Sequence, residues 1–333
     1  MTISDLSERE LIARIRARLP VAPDWMLVGV GDDAAVVEPE RNRVEVLTVD
    51  AVVEGIHFDR SFVPAEAIGH RALAMNLSDL AAMGAAPRLA LLSMALPAAL
   101  PLDDFDGIIG GFLALAAIHR LHVAGGNLTR SPGPLMIDVT LIGTVKRRQA
   151  LTRGGARPGD HLYVSGALGS AAAGLHLLRT ATPIPSGDAA ESLVARYLRF
   201  EPRNRLGVLL SRNRAAVACM DLSDGLADGV SQMAEASHVG VAVEADALPI
   251  EPAARAVFER HGLDAVAEAI TAGDDYELLI AVRPRATRRF EAALRAAATP
   301  VTKIGVCTGD GRLILRRAGG ETPLPQSGYD HFR

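Results

Sequence analysis

Carboxylates recur in this sequence where the chain turns sharply or a β-prone run ends. Five segments carry them: Gly31-Asp32-Asp33, Thr48-Val49-Asp50, Asn76-Leu77-Ser78-Asp79, Asp221-Leu222-Ser223-Asp224-Gly225 and Gly273-Asp274-Asp275. One such segment is an ordinary turn signal, because Asp and Ser side chains bond their own backbone. Several in one chain supply hard oxygen ligands, the donors that Mg²⁺ takes together with water and substrate phosphates. Magnesium would also reconcile an acidic protein with an anionic substrate, since the metal neutralises both.

Each segment has a bland alternative. Asp79 lies in the apolar stretch NLSDLAAMG. A carboxylate there either points outward or is held by a partner, since burying it alone costs several kcal/mol or leaves it protonated. Asn76, three residues earlier, shares its helix face. Asp50 ends a β-branched run, a position that suits chemistry or a turn. Asp221 and Asp224, with Ser223 between, either converge or form an Asx turn that opens the next helix. Gly29-Val30-Gly31-Asp32-Asp33-Ala34 spells GxGxxA. Two carboxylates then stand where a pyrophosphate must approach, and Val36-Val37-Glu38-Pro39 does not start a helix, so the dinucleotide reading is rejected. A phosphate loop needs a Gly-Lys pair, and neither Lys146 nor Lys303 follows a glycine. Any nucleotide must be held by metals, Gly-rich turns such as Gly125-Gly126, and arginine. Arg153 in LTRGGARPGD is the phosphate-clamp candidate, against the alternative of a solvated charge beside a linker.

The elements that must position these residues alternate between strand and helix. The apolar spacing predicts a helix over 5–19, a strand over 44–49, and a helix from Pro64 to about Met83 that ends at Gly84. Then come a strand over 89–96, a helix capped by Asp103 and running to about His119, the Gly125-Gly126 turn, and a strand over 135–145. Lys146-Arg147-Arg148 marks a domain junction. Beyond it the pattern predicts strands at 161–165, 216–220, 239–244 and 276–282, helices from about Ser170 and near 191–199, 203–213, 252–261 and 286–298, and a final hairpin at 301–317. Residues 180–190 read as a loop. The expectation is a two-domain α+β protein, with domains 1–147 and 148–333.

Composition sets the outer limits. A chain of 333 residues suits two domains, and 49 % hydrophobic against 22 % charged residues excludes a disordered chain. A net charge of −4 argues against a nucleic-acid partner. Cys219 and Cys307 form no CxxC pair and read as buried small hydrophobes. The acidic N-terminal turns are not a signal peptide, and the apolar run 107–118 is shorter than the ~20 residues of a membrane span. The expected location is cytoplasmic.

Taken together, the segments resemble the thiamine-monophosphate kinase family of the AIR synthetase-like ATP-binding superfamily. The matching stretches are GVGDDAAVV (29–37), TVDAVVEGIHF (48–58), NLSDLAAMGAAP (76–87), GGNLTR (125–130), ALTRGGARPGD (150–160), DLSDGLADG (221–229), AGDDYELL (272–279) and SGYDHF (327–332). The resemblance implies phosphorylation of thiamine monophosphate by ATP to thiamine diphosphate. It implies an N-terminal mixed sheet with helices forming a homodimer interface, a C-terminal α/β sandwich, and several magnesium ions. By motif match, Asp33, Thr48, Val49 through its backbone, Asp50, Asp79, Asn127, Asp221 and Asp224 would hold metal. Gly126, Asn127, Arg153 and Ser223 would bind ATP; His57, Asp274 and Tyr329 would contact the thiamine part. Two positions depart from the family: Asn127 replaces a carboxylate in GGDTT, and Asp274 stands where Glu is common. The implied transfer is direct and in line, with no general base. Hydrogenase-maturation and selenophosphate-forming relatives carry a reactive terminal cysteine that this sequence lacks, and VEGIHF and DDYELL argue against an aminoimidazole ribonucleotide synthetase. A non-catalytic binder is the rival of another class, favoured by Asn127 alone.

Overall fold

The structure is a computed structural model that describes residues 1–180 and 187–325. The chain divides into two compact units: Met1–Leu80 with Ala86–Arg147, and Ala81–Ala85 with Arg148–Arg333.

The first unit holds α1 (Glu8–Arg16), β1 (Met26–Val28), β2 (Val36–Val37), β3 (Arg43–Val53), α2 (Ala65–Ala82), β4 (Ala86–Pro97), α3 (Leu102–Ile118), β5 (His122–Ser131) and β6 (Met136–Lys146). α1 starts on a capping box, with Ser7 accepting from the Glu10 N–H and the Glu10 carboxylate accepting from the Ser7 N–H. Four strands form a mixed sheet in the order β3-β6-β4-β5, so β3 and β5 are its edges. α2 and α3 cross at near backbone contact. A Cβ on Gly69 would lie 1.9 Å from the Ile108 carbonyl oxygen, and one on Gly111 would lie 1.9 Å from that of Glu66. Val52, Ile137, Val139, Leu141 and Leu92 are buried, and alternate residues on the other face leave Leu47 and Val49 64 % and 57 % exposed. The β1–β2 pair covers one end of that open face, with Met26 packed on Leu89 and Ala124.

The second unit holds β7 (His161–Ser165), α4 (Ser170–Thr180), α5 (Asp188–Leu198), α6 (Asn204–Arg212), β8 (Ala218–Asp221), α7 (Leu226–Ser237), β9 (Gly240–Glu244), α8 (Pro252–Arg260), α9 (Ala265–Thr271), β10 (Leu278–Val282), α10 (Thr287–Ala297), β11 (Val301–Thr308), β12 (Leu313–Arg317) and β13 (Gly320–Pro323). Its sheet runs β13-β12-β9-β11-β7-β10-β8. β7, β9 and β10 are almost wholly buried, with helix-lined clusters on the sheet. Cys219 and Cys307 are free buried thiols, and burial raises both, Cys307 to about 11, which suppresses thiolate chemistry.

Four local expectations are corrected. Asp50 does not end its strand: β3 continues through it to Val53, paired with β6 throughout. Residues 301–317 are not a hairpin: β9 inserts between β11 and β12, pairing antiparallel with the first and parallel with the second. Gly125-Gly126 is not a turn. β5 runs straight through it, paired in parallel with β4 after a bulge at Ala90/Leu91. Asp103 does not cap α3; it lies in the first turn behind Pro101, where its charge still suits the helix dipole.

One buried ionic group organises the second unit. Glu277 is 0 % exposed. Arg203 donates to its two oxygens at 2.7 and 2.6 Å, Arg196 at 2.8 Å and the Ser165 hydroxyl at 2.6 Å. Two residues earlier, Asp275 accepts from the Gly169 N–H at 2.8 Å and lies at the N-terminus of α4. Burial pushes its carboxyl up to about 7, against the opposite pull of those N–H groups and of Arg196.

Glu277→Gln is expected to cost about 3–5 kcal/mol of unfolding free energy in urea titrations, because it strands buried arginine charge. An unchanged midpoint would contradict that role. For Asp275 the folded-state value lies above the unfolded one, so the folded state binds the extra proton and loses stability as pH rises from about 4 to about 7. The melting temperature of Asp275→Asn should therefore gain on that of the wild type across this window and run parallel to it above.

Candidate active site

Within the first unit, α2 and β3 bring two of the acidic motifs together. The Thr48 hydroxyl donates to the Asp79 carboxylate. Asp79 is thus held by a partner rather than left on an outward stripe. The strand period places Thr48 and Asp50 on the helix-covered face of the sheet, and Val49 on the open face, so Val49 can offer only its backbone to that side. His57 follows in the turn after β3. Its Nδ1 accepts from the Val53 N–H at 3.1 Å, which leaves the proton of the neutral ring on Nε2.

Asp33, Gly126 and Asn127 line one cavity of about 770 Å³, walled on its other side by α1. Gly126 is there because a Cβ would lie 1.9 Å from the Leu92 carbonyl oxygen. α1 contributes Arg9 and Arg16, and the Arg16 guanidinium reaches to about a Cβ contact of Gly31. Neither arginine belongs to an acidic motif; their sequence signal is a basic stripe on α1, seven residues apart, beside its apolar side. The GxGxxA spelling falls between β1 and β2, with no helix after it, in line with rejection of the dinucleotide fold.

Asn127 and Asp50 are not neighbours within one copy. Sheet register aligns Asp50 with Val139, Leu92 and Gly126, while Asn127 falls in the next row with Ser93 and Asp138. Adjacent rows face opposite sides, and three strand spacings of ~4.8 Å separate the edges by about 14 Å.

In the second unit the segments 221–225 and 272–277 lie side by side. The Asp274 N–H donates to the Ser223 carbonyl at 2.7 Å, the Tyr276 N–H to that of Leu222 at 3.0 Å, and the Leu222 N–H to that of Glu277 at 2.9 Å. Asp274 and Tyr276 both take positive φ, 69° and 48°, an unfavourable backbone that the surrounding bonds must maintain. Tyr276 stacks on Phe200 with ring centroids 4.0 Å apart. Asp221 ends β8 and is buried; Ser223 donates to Asp224 at 3.0 Å. Gly225 then opens α7. Arg153 donates to Gln232 at 2.6 Å, and Gln232 to Asp228 at 2.5 Å. That chain was also missed, although Asp228 and Gln232 stand four apart on one helix face. Tyr329 lies outside the described residues.

The donor set suits magnesium. The candidate ligands are carboxylate, hydroxyl, amide and carbonyl oxygens, with no thiol or imidazole among them. Among the described residues no group of three or more Asp, Glu, His or Cys side chains forms a ready cage. Mg²⁺ seldom uses one: it keeps waters and binds through one or two carboxylates plus substrate phosphates. Among the described residues no helix is long and apolar enough to cross a membrane.

Residues 31–145 match the family described as AIR synthase related protein, N-terminal domain, and residues 157–317 match its C-terminal domain. The thiamine-monophosphate kinase of Bacillus subtilis (strain 168) is 34 % identical over 312 residues, covering 92 % of this chain and 94 % of that protein. The crystal structure of thiamine-monophosphate kinase from Stenotrophomonas maltophilia K279a superposes with a TM-score of 0.82 at 39 % identity, covering 93 % and 96 % of the two chains. The structure of AaThiL complexed with AMPPCP and TMP gives 0.78 at 30 % identity, covering 100 % of this chain and 99 % of that one. Both domain matches and these near-full-length relatives show that the chain belongs to the AIR synthase related proteins and, among them, to the thiamine-monophosphate kinase family.

Proposed function

We propose that this protein transfers the γ-phosphoryl group of ATP to thiamine monophosphate, giving thiamine diphosphate and ADP, by direct in-line transfer. The observation that carries the reading is the Thr48–Asp79 hydrogen bond, which joins two distant family motifs through oxygen donors alone. The relatives' names and the complex with AMPPCP and TMP support the substrates.

Asp33, Thr48, the Val49 backbone, Asp50, Asp79 and Asn127 would hold magnesium in the first unit, and Asp221 and Asp224 in the second. Magnesium, when bound, neutralises phosphate charge and so lets two polyanions approach. Gly126 and Asn127 offer backbone and amide groups to the nucleotide phosphates without the bulk of a side chain at 126. Arg153, held by Gln232, and Ser223 bind phosphate oxygens. Asp274 and Tyr329 hold the thiamine part. His57 presents an Nε2–H and donates to the substrate, which suits a contact rather than a base. No base is needed, because a phosphate monoester with a second pKa near ~6 is already ionised at neutral pH. The open apolar face around Leu47 and Val49 supports a homodimer. The expected setting is the cytoplasm.

Incubation with ATP, magnesium and thiamine monophosphate should give thiamine diphosphate by chromatography, and none without magnesium. Binding of the ligands without product would favour the non-catalytic reading that Asn127 suggests. A chiral γ-phosphate should invert; retention would exclude direct transfer. Asp50→Asn and Asp224→Asn should each lower kcat by at least about 100-fold. Asn127→Asp should lower the magnesium concentration for half-maximal rate several-fold, since a carboxylate replaces a neutral oxygen.

A further inference from the structure

A second cavity in the first unit, about 380 Å³, lies where β4 and β5 begin, under the β1–β2 pair. It is separate from the cavity at Asn127. His122 lines it at the start of β5, and Asn127 is five residues further along, about 17 Å at ~3.3 Å per residue. None of the acidic motifs contributes to it.

Its central feature is Arg88. This arginine is only 9 % exposed and forms no ion pair with any described carboxylate. Its Nη2 donates to the Glu38 carbonyl oxygen, and its guanidinium sits 4.2 Å from the centre of the Trp25 ring. Its Nη1 is buried and has no hydrogen-bond partner. A guanidinium cannot shed its proton, so desolvation is compensated only by a neighbouring anion or acceptor. Here a carbonyl and an aromatic face supply part of that, and one arm remains unmatched.

The neighbours keep the cavity positive. Arg43 is matched by Glu40 at 3.2 Å and bonded to Thr144. Arg120 lines the cavity and has no ion-pair partner among the described residues. Arg88 and Arg120 thus share the cavity with one remaining carboxylate, that of Glu38, which is exposed and forms no ion pair with either. His122 meets the Trp25 ring edge-on at 5.6 Å, and burial lowers its pKa.

We propose that this cavity binds a small oxyanion, a phosphate or carboxylate group, on Arg88 and Arg120 against the Trp25 ring. The guanidinium fork is the group that recognises such anions by paired hydrogen bonds. The site is independent of the phosphoryl-transfer reading, and its volume admits a small metabolite that carries the anion.

Trp25 is the chain's one tryptophan, so its fluorescence reports on this cavity directly. Full-length protein titrated with inorganic phosphate, and separately with succinate, at constant ionic strength in chloride should show a saturable change with at least one of them; which one responds identifies the group. Arg88→Met should abolish that change, and Arg120→Gln, at an exposed position, should weaken it about tenfold, the loss of one charge-assisted contact. No saturable change with either anion, or an unaltered curve in Arg88→Met, would overturn the proposal. Should Arg88→Met fail to fold, an unaltered affinity in Arg120→Gln overturns it in the same way.

Discussion

A carboxylate removed from water must be surrounded by donors, and the second unit is arranged around that requirement at Glu277. Arg203 grips both its oxygens, Arg196 and Ser165 add further bonds, and the same Ser165 hydroxyl accepts from the Leu278 N–H. The strand β10 therefore begins at a fixed point. Backbone bonds then carry that point outward: Leu222 to Glu277, Tyr276 to Leu222, Asp274 to Ser223. The two left-handed residues Asp274 and Tyr276 are held by this lattice, and the polar groups of the 221–225 and 272–277 segments inherit their positions from it. A buried ion pair is weak evidence of net stability, but it fixes register well, and register is what the candidate site needs.

The first unit solves positioning differently. Its sheet has one face under helices and one face open, and the strand period assigns the motif residues on β3 and β5 to a face. Thr48 and Asp50 go to the covered side, where α2 delivers Asp79. Asn127 goes to the other, on the opposite edge strand. An edge strand leaves a row of backbone groups without ladder partners, and both edges here carry residues proposed above as metal or nucleotide ligands.

The sequence was most legible where one local rule acts alone. The β7 limits, the start of α4 and the end of α2 before Gly84 all follow from apolar spacing and from glycine or proline punctuation. Legibility failed where distant pairing overrides a local signal. Gly125-Gly126 reads as a turn, yet β4 recruits it into a parallel ladder in which Gly126 is required for close approach. Residues 301–317 read as a hairpin because nothing local announces that β9 will separate the two strands. The short helix α9 was overlooked because its seven residues barely complete two turns. The motifs name the acids and Arg153, but not Arg9 and Arg16 at the Asn127 cavity nor Arg196 and Arg203 on Glu277, whose roles depend on what folding brings beside them.

The strand order of the second unit also orders events in time. Among the described residues β7 pairs with β10 and β11, and β9 with β11 and β12, so both central strands await partners made far later in synthesis. The four-stranded sheet of the first unit, by contrast, is complete once β6 has emerged. At roughly 5–20 residues per second on the ribosome, the first sheet has many seconds to form before the second can close. During that interval β7 and β9, whose Leu162, Val164, Val241 and Val243 are buried in the finished sheet, are strands without neighbours. A chain of this topology depends on protection of the segment from β7 to β9 while it is being made, and slow translation past residue 300 would lengthen its exposure to aggregation.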